Sequence, residues 1–498
     1  MQFRSTRSQE LLSFKEAVLR CLPSDGGLYV PAETADMRQY FLYMDGETAF
    51  HDLAATVSPS LFQGELNPVS ASLVAESAFN FEPELRQLDG RFSVLNLHNG
   101  PTGVFKDFGI AFLAAVMEEM LKNSGSAMVI SASRGDTGVS NAHAFYRRRG
   151  ITSVILYPSG PIRGLNPAMF VPNGGNIIPI QVKGTLDDCQ RLITAAIYDR
   201  SFAERYGVTS ANAINVGRLL PQAFYYLYGF IQIKKQLCGD LLFSVPSGNF
   251  GNLIAGLYAW KFGMPVNGFI AAMNANNAFK GFAEKNQQPR RGRTGHAGSG
   301  GNGFHAEANV PGPGLPREPA GGFLVSELPA NKKTAAGGFL RLSGPGSPAE
   351  GGFNVRKLIA TNSPALDVSC PSNYERLLAF YEEAPAVMRH MVHPVSVNDA
   401  ETLAAMNRAW KQYGQLLDSH SAVAFAAAER MAADRNFNGH IVVLATGHPA
   451  IQADLVAENT GQMPEIPEKI ALLRKEAEPL AIIPAQLDAL QAAIASCF

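Results

Sequence analysis

The chain of 498 residues is predicted to be an α/β protein with parallel sheets. Two observations carry the prediction. After Pro83, short continuous apolar runs alternate with longer helical stretches, the pattern of buried strands joined by helices. Ahead of that point the alternation is missing. Residues 1 to about 95 read as mostly helical, with Ser24-Asp25-Gly26-Gly27 as a turn, and are expected to form an N-terminal layer of their own. The length suits roughly two to four domains.

Taken in order, Ala127–Ser131 (AMVIS) is a strand candidate, and Gly138–Arg149 after it reads as a helix. Ser153–Tyr157, Asn176–Val182, Leu241–Val245 and Ile441–Ala445 are further buried-strand candidates, being short runs rich in Val, Ile and Leu. Leu186–Ile197, Leu219–Gln236 and Asn252–Phe262 are the helices that separate them. The pattern breaks from about 291 to 352, where Gly and Pro make up more than a third of the residues. Gly-Gly-Phe recurs there at 321–323, 337–339 and 351–353, too unevenly for a solenoid. Such a composition buries too little apolar surface to offset its ordering entropy, so a disordered surface insertion is expected, with a partner-binding or lid segment as the alternative.

Composition excludes several classes. An apolar fraction of 46%, a charged fraction of 17% and a net charge of −1 give no reason to expect nucleic acid or an anionic membrane as partner. Cys21, Cys189, Cys238, Cys370 and Cys497 are scattered, which argues against a disulfide framework or a structural zinc site and fits a reducing cytoplasm. Met1–Arg20 lacks the apolar core of a secretory signal, and no apolar stretch is long enough for a membrane span. A soluble cytoplasmic protein, monomer or homodimer, is the expectation. His390 and His393 have metal-compatible spacing without a further ligand, so no metal is expected. His420 and His448 sit in turn-like contexts that suit structural hydrogen bonding.

Three motifs carry chemistry. Val245-Pro-Ser-Gly-Asn-Phe-Gly-Asn252 lies between a strand and a helix, where glycine lets the backbone approach a ligand and the helix start offers N–H groups to a phosphate. Its plainer reading is a tight strand-to-helix turn. His98-Asn-Gly-Pro-Thr-Gly-Val-Phe-Lys-Asp-Phe-Gly109 places Lys106 between two phenylalanines at a helix start. Those surroundings disfavour an ammonium, as is needed in a lysine that must react with an aldehyde. The plainer reading is a Lys106–Asp107 surface turn. Ser131-Ala-Ser-Arg-Gly-Asp-Thr-Gly138 is again a strand-to-helix turn, suited either to a carboxylate or to simple N-capping.

Together these motifs, in this order, resemble the threonine synthase family, a group of fold type II pyridoxal-phosphate enzymes. The family's H-G-P-T-x-x-F-K-D-F-G is spread over His98–Gly109 with Asn99 inserted, and its S-G-D-T-G corresponds to Arg134–Gly138. Ser210–Gln222, Pro246–Gly251, Thr361–Asp367 and Thr446–Ile451 match further family motifs, as do Ser13–Val18 and Gly26–Pro31. The resemblance covers about 1–280 and 355–455. It implies a two-domain, tryptophan-synthase-beta-like architecture with parallel sheets behind an N-terminal domain of residues 1–95. The large cofactor domain would span 96–124 and 221–498, and the small domain 125–220. It implies pyridoxal 5'-phosphate carried on Lys106, with its phosphate held by Gly248, Asn249, Phe250, Gly251 and Asn252. Thr446 would contact the pyridine nitrogen, and Ser133, Asp136 and Thr137 would surround the substrate's carboxylate end. The implied reaction turns O-phospho-L-homoserine and water into L-threonine and phosphate.

Three departures fall on the substrate side. The family's serine before G-D-T-G is Arg134, its S-x-L-Q-E-K segment is Arg163–Met169, and the lysine of H-P-A-K is Ile451. Arg134 and Arg163 are candidates for replacement phosphate contacts through their guanidinium forks. The alternatives are a related pyridoxal-phosphate lyase, such as a phospho-lyase, with another anionic amino-acid substrate, and a binding module that keeps only the fold.

Overall fold

Two sheets of mostly parallel strands organise the computed structural model. It describes residues 1–498 except 63, 124, 134, 160–161, 164–174, 278–357, 369, 435–436, 474–475 and 498, and the side chains of 162, 163 and 476 also lie outside the description. The strands before residue 150 are β1 (Phe3–Ser5), β2 (Tyr29–Pro31), β3 (Glu84–Gln87), β4 (Phe92–Asn96) and β5 (Ala127–Ala132). Next come β6 (Ile151–Pro158), β7 (Ile162–Arg163), β8 (Ile177–Lys183), β9 (Val208–Ser210) and β10 (Asp240–Pro246). The remainder are β11 (Gly268–Met273), β12 (Val392–Ser396), β13 (Gly439–Ala445), β14 (Glu476–Ala477) and β15 (Ala481–Pro484).

The larger sheet has six strands in the order β12-β11-β10-β13-β4-β3, parallel except for the edge pair β3–β4. The second has five, β15-β8-β6-β5-β9, all parallel. β4, β5 and β11 are buried along their whole length, as strands covered on both faces are, with Ser93, Asn96 and Ser131 as their polar residues. One apolar cluster fills the space between the N-terminal helices, the helix Lys106–Leu121 and one face of the large sheet. A second packs the helices Asp399–Tyr413 and Ser419–Ala432 on the other face. A third lies under the helices Leu186–Tyr198 and Leu487–Ala495 against the five-stranded sheet.

Several expectations move. The stretch 219–236 is not one helix: Leu220–Gln222 and Lys234–Gln236 are 3-10 turns around the α-helix Ala223–Ile233. Pro221 has no N–H to give to an α-helical bond, so the first turn is tightened instead. The helix expected over 138–149 runs Asp136–Phe145. Strand pairing also bears on the domain limits. β3 and β4 lie in the six-stranded sheet although all but Asn96 of them falls within 1–95, and β15 pairs with β8 in the five-stranded one although it lies within 221–498. The Gly/Pro-rich insertion at 291–352 lies outside the described residues.

The N-terminal region is helical around the short antiparallel pair β1–β2. Its first helix, Phe14–Arg20, opens with a capping box of Ser13 and Glu16, which satisfies two otherwise unpaired backbone donors. Its aromatic residues reach the helix that begins at Lys106: Phe50 and Phe81 lie 5.2 Å and 4.9 Å from Phe108, both nearly edge-on. Each such ring pair adds about 0.5–1.5 kcal/mol beyond its burial. The aromatic rings of the N-terminal region thus clamp the helix bearing Lys106. Among the described residues, no helix is long and apolar enough to cross a membrane.

Candidate active site

Lys106 is the first residue of its helix and is set there by its neighbour. Asp107, 2% exposed, accepts from Thr102 N at 2.8 Å and Thr102 Oγ1 at 2.6 Å, and Thr102 Oγ1 lies 2.9 Å from Ser140 Oγ. Burial pushes the Asp107 carboxyl above its usual range, against the pull of the Thr102 hydrogen bonds. The Lys106–Asp107 pair is therefore no surface turn. Lys106 Nζ donates to Asp136 Oδ2 at 2.8 Å, and its side chain is 16% exposed. The ammonium that the apolar surroundings were expected to disfavour thus has a counter-charge, with the Phe105 ring 5.4 Å away. The positive charge of Lys106 outweighs burial and holds the Asp136 carboxyl below its usual range. Asp136 opens the helix that follows β5, so this ion pair joins the carboxyl ends of the two sheets.

The second loop follows β10. Ser247 N donates to Ala272 O at 2.8 Å and Phe250 takes a left-handed φ of 58°, turning the chain into the helix Gly251–Lys261. A Cβ on Gly248 would lie 2.8 Å from Ala365 O and 3.1 Å from Leu366 Cα, both backbone, so this approach requires glycine. Asn252 Oδ1 accepts from the hydroxyls of Tyr225 at 2.6 Å and Tyr226 at 2.7 Å, while its Nδ2 is buried without a partner. Asn249 Oδ1 accepts from Ser372 N at 3.1 Å. A glycine-lined turn, a helix N-terminus and an orphaned buried donor fit the phosphate of pyridoxal phosphate.

The third loop follows β13, the strand between β10 and β4. Thr446 O accepts from Phe105 N at 2.9 Å, and His448 N donates to Gly103 O at 2.8 Å. Thr446, 6% exposed, is thereby fixed to the residue preceding Lys106. Thr446 N donates to Ser421 Oγ at 2.9 Å. The His98 and His448 rings meet edge-on at 5.0 Å. Burial, with His448 second, pulls the His98 imidazole down to about 4. Ile451, where the family has lysine, is 41% exposed.

Lys106, Asp136, Thr446 and the 248–252 loop all follow carboxyl ends of parallel strands, the usual ligand-binding edge of such sheets. Ser133 follows β5 too, but its hydroxyl serves its own turn, accepting from Gly135 N at 2.9 Å and Gly138 N at 2.7 Å. Thr137 follows in the first turn of the same helix. Asp136, the other residue expected near the substrate, accepts from Lys106 through Oδ2. Arg134 and the Arg163 side chain lie outside the described residues; the Arg163 backbone pairs with Glu476. The sequence reading missed Asp418, Ser421, Tyr225 and Tyr226. For Asp418 and Ser421 the only signal was Asp-Ser-His-Ser, which reads equally as an N-cap.

Comparison with known proteins agrees with this geometry. Family models described as "Threonine synthase N terminus" and "Threonine synthase, C-terminal" match residues 2–78 and 421–494. The threonine synthase of Serratia marcescens is 29% identical over 463 residues, covering 93% of this chain and 91% of its own. That of Pseudomonas aeruginosa is 27% identical, covering 99% and 97%. The crystal structure of threonine synthase from Escherichia coli superposes with a TM-score of 0.78 at 27% identity, all of both chains covered. The pyridoxal-phosphate-bound threonine synthase from Brucella melitensis gives 0.77 at 25%, covering 100% and 99%. Sheet order, loop placement and these superpositions define the fold type II class of pyridoxal-phosphate enzymes. Within that class, the chain is similar to threonine synthases along nearly its whole length.

Proposed function

We propose that the chain is a pyridoxal-phosphate-dependent carbon–oxygen lyase that converts O-phospho-L-homoserine and water to L-threonine and phosphate. The observation that carries this reading is the 2.8 Å Lys106–Asp136 pair at the seam of the two sheets, beside loops that fit the cofactor. Lys106 would carry the cofactor, Gly248–Asn252 would hold its phosphate, and Thr446 would meet the pyridine nitrogen. Pyridoxal phosphate, when bound, supplies an aldehyde for an amine and an electron sink for carbanions beside it.

The chain's own residues supply the rest. Once the substrate amine has displaced it, the Lys106 amine is free to take the substrate's α and β protons as a general base. Asp136 steadies the ammonium that results. A neutral hydroxyl at Thr446 would leave the pyridine nitrogen mostly unprotonated and moderate the electron sink. Phosphate leaves from Cγ, and water adds at Cβ. Arg134 and Arg163 are the proposed substrate-phosphate contacts, with Ser133 and Thr137 nearer the α-carboxylate. We also propose a cofactor body of residues 84–124 and 221–480, with 125–220 and the C-terminal strand and helix forming the small domain.

The test is product analysis with the purified protein, pyridoxal phosphate and O-phospho-L-homoserine. Equal release of phosphate and threonine is expected. Phosphate release with a keto acid in place of threonine would assign a different lyase.

A further inference from the structure

Asp418, 2% exposed, caps the helix Ser419–Ala432 and receives hydrogen bonds on both oxygens. Oδ1 accepts from Ser421 N at 3.0 Å and, in a short contact, from the Ser421 hydroxyl. Oδ2 lies 2.6 Å from His420 Nδ1. The direction of each bond is forced. Ser421 Oγ already accepts from Thr446 N at 2.9 Å, so its proton goes to Asp418. His420 Nε2 already accepts from Ala365 N at 3.0 Å, so the imidazole proton sits on Nδ1 and also goes to Asp418. Three donors converge on one side chain, and only an unprotonated carboxylate accepts them all. A Cβ on Gly447 would lie 2.7 Å from Asp418 Oδ2, so the loop after β13 closes directly over this group.

The two branches reach different parts of the site. Ser421 fixes Thr446. His420 fixes Ala365, whose carbonyl, with Leu366, walls Gly248 at the distances given above. We infer that Asp418 is a positioning residue that sets both ends of the cofactor site, the ring contact through Ser421 and Thr446 and the phosphate loop through His420 and Ala365. This rests on the assignment of Thr446 and residues 248–252 to the cofactor.

The donor geometry makes the branches separable. In Asp418→Asn the amide oxygen keeps the two Ser421 bonds and the amide nitrogen faces His420. The imidazole proton then moves to Nε2, where it opposes the Ala365 N–H. Ser421→Ala instead frees Thr446 and leaves His420 and Ala365 in place. The experiment loads wild type and both variants with pyridoxal phosphate and reads cofactor affinity, the phosphorus-31 shift and the visible absorption band. Asp418→Asn should weaken affinity about tenfold, the scale of one lost hydrogen bond to a charged group. Its phosphorus signal should move and its absorption band should stay. Ser421→Ala should move the band and not the phosphorus signal. Identical changes in both variants, or none in Asp418→Asn, would overturn the inference. If Asp418→Asn does not fold, as checked by its melting curve, His420→Ala must give the same phosphorus shift or the inference fails. A wild-type protein that binds no pyridoxal phosphate would instead sink the functional reading itself.

Discussion

Lys106 and Asp136 form one ion pair but contribute differently. Lys106→Ala removes the amine that would hold the cofactor, and turnover should vanish, while one partly buried side chain at a helix start rarely decides a fold. Borohydride reduction of the loaded enzyme followed by peptide mapping should place the adduct on Lys106; an adduct on any other lysine ends the assignment. Asp136 contributes through its charge. Its folded-state carboxyl lies below the usual value, so its stabilisation is complete above the unfolded value of about 3.9 and is lost as pH falls through the folded one. Asp136→Asn should therefore melt below wild type at pH 7, with the gap narrowing below about pH 4. A gap that stays constant into acid would show that the pair does not stabilise the fold. His98 runs the same way over a higher window. Held at about 4 in the fold against an ordinary 6.5, it favours folding above 6.5 and lets stability go as pH falls toward 4.

At the scale of elements, the site is three loops, each held by backbone contacts. The 248–252 loop depends on the close approach of Ala365 and Leu366, and neither obstacle is a side-chain end that swings away. Gly248→Ala should cost about 1–3 kcal/mol of stability, as overpacking does. Cofactor affinity, followed by fluorescence titration, should fall with it; unchanged affinity would remove this loop from the phosphate site. The sequence made these loops legible because strand, glycine turn and helix start are local patterns. It also marked β5, β6, β8, β10 and β13 through their aliphatic runs. Of the two sheets' strands it missed β3, β4, β9, β11, β12 and β15; in β12, His393 and Pro394 interrupt the run. That strand lies at a sheet edge, where a proline costs least. Nor could it show the convergence on Asp418, which joins residues 365, 421 and 446 and exists only once the chain has folded. Arg376 is of the same kind. Fully buried, it donates to the carbonyls of Tyr29, Ala213 and Ile214, tying the N-terminal pair to the loop after β9.

For the whole molecule, the five-stranded sheet depends on the chain's last residues. Ile483, Leu490 and Ile494 are buried in the cluster that contains Val182, Leu192 and Ile193. Burying each such side chain is worth about 1.5–3 kcal/mol. Deleting residues 481–498 should lower the free energy of unfolding in urea by at least about 4 kcal/mol. A truncated chain as stable as the full one would mean that β15 only decorates an edge.

The strand order also fixes when the enzyme can exist. β13 is the last-made member of the six-stranded sheet among the described residues, yet it lies between β4 and β10. A nascent chain that has not reached residue 439 therefore holds β3–β4 and β10–β12 as separate pieces, each with an open edge facing the other. Such edges invite pairing with other chains. The sheet thus stays divided until β13 is made, and the site, which needs the loop after β13, cannot close before then.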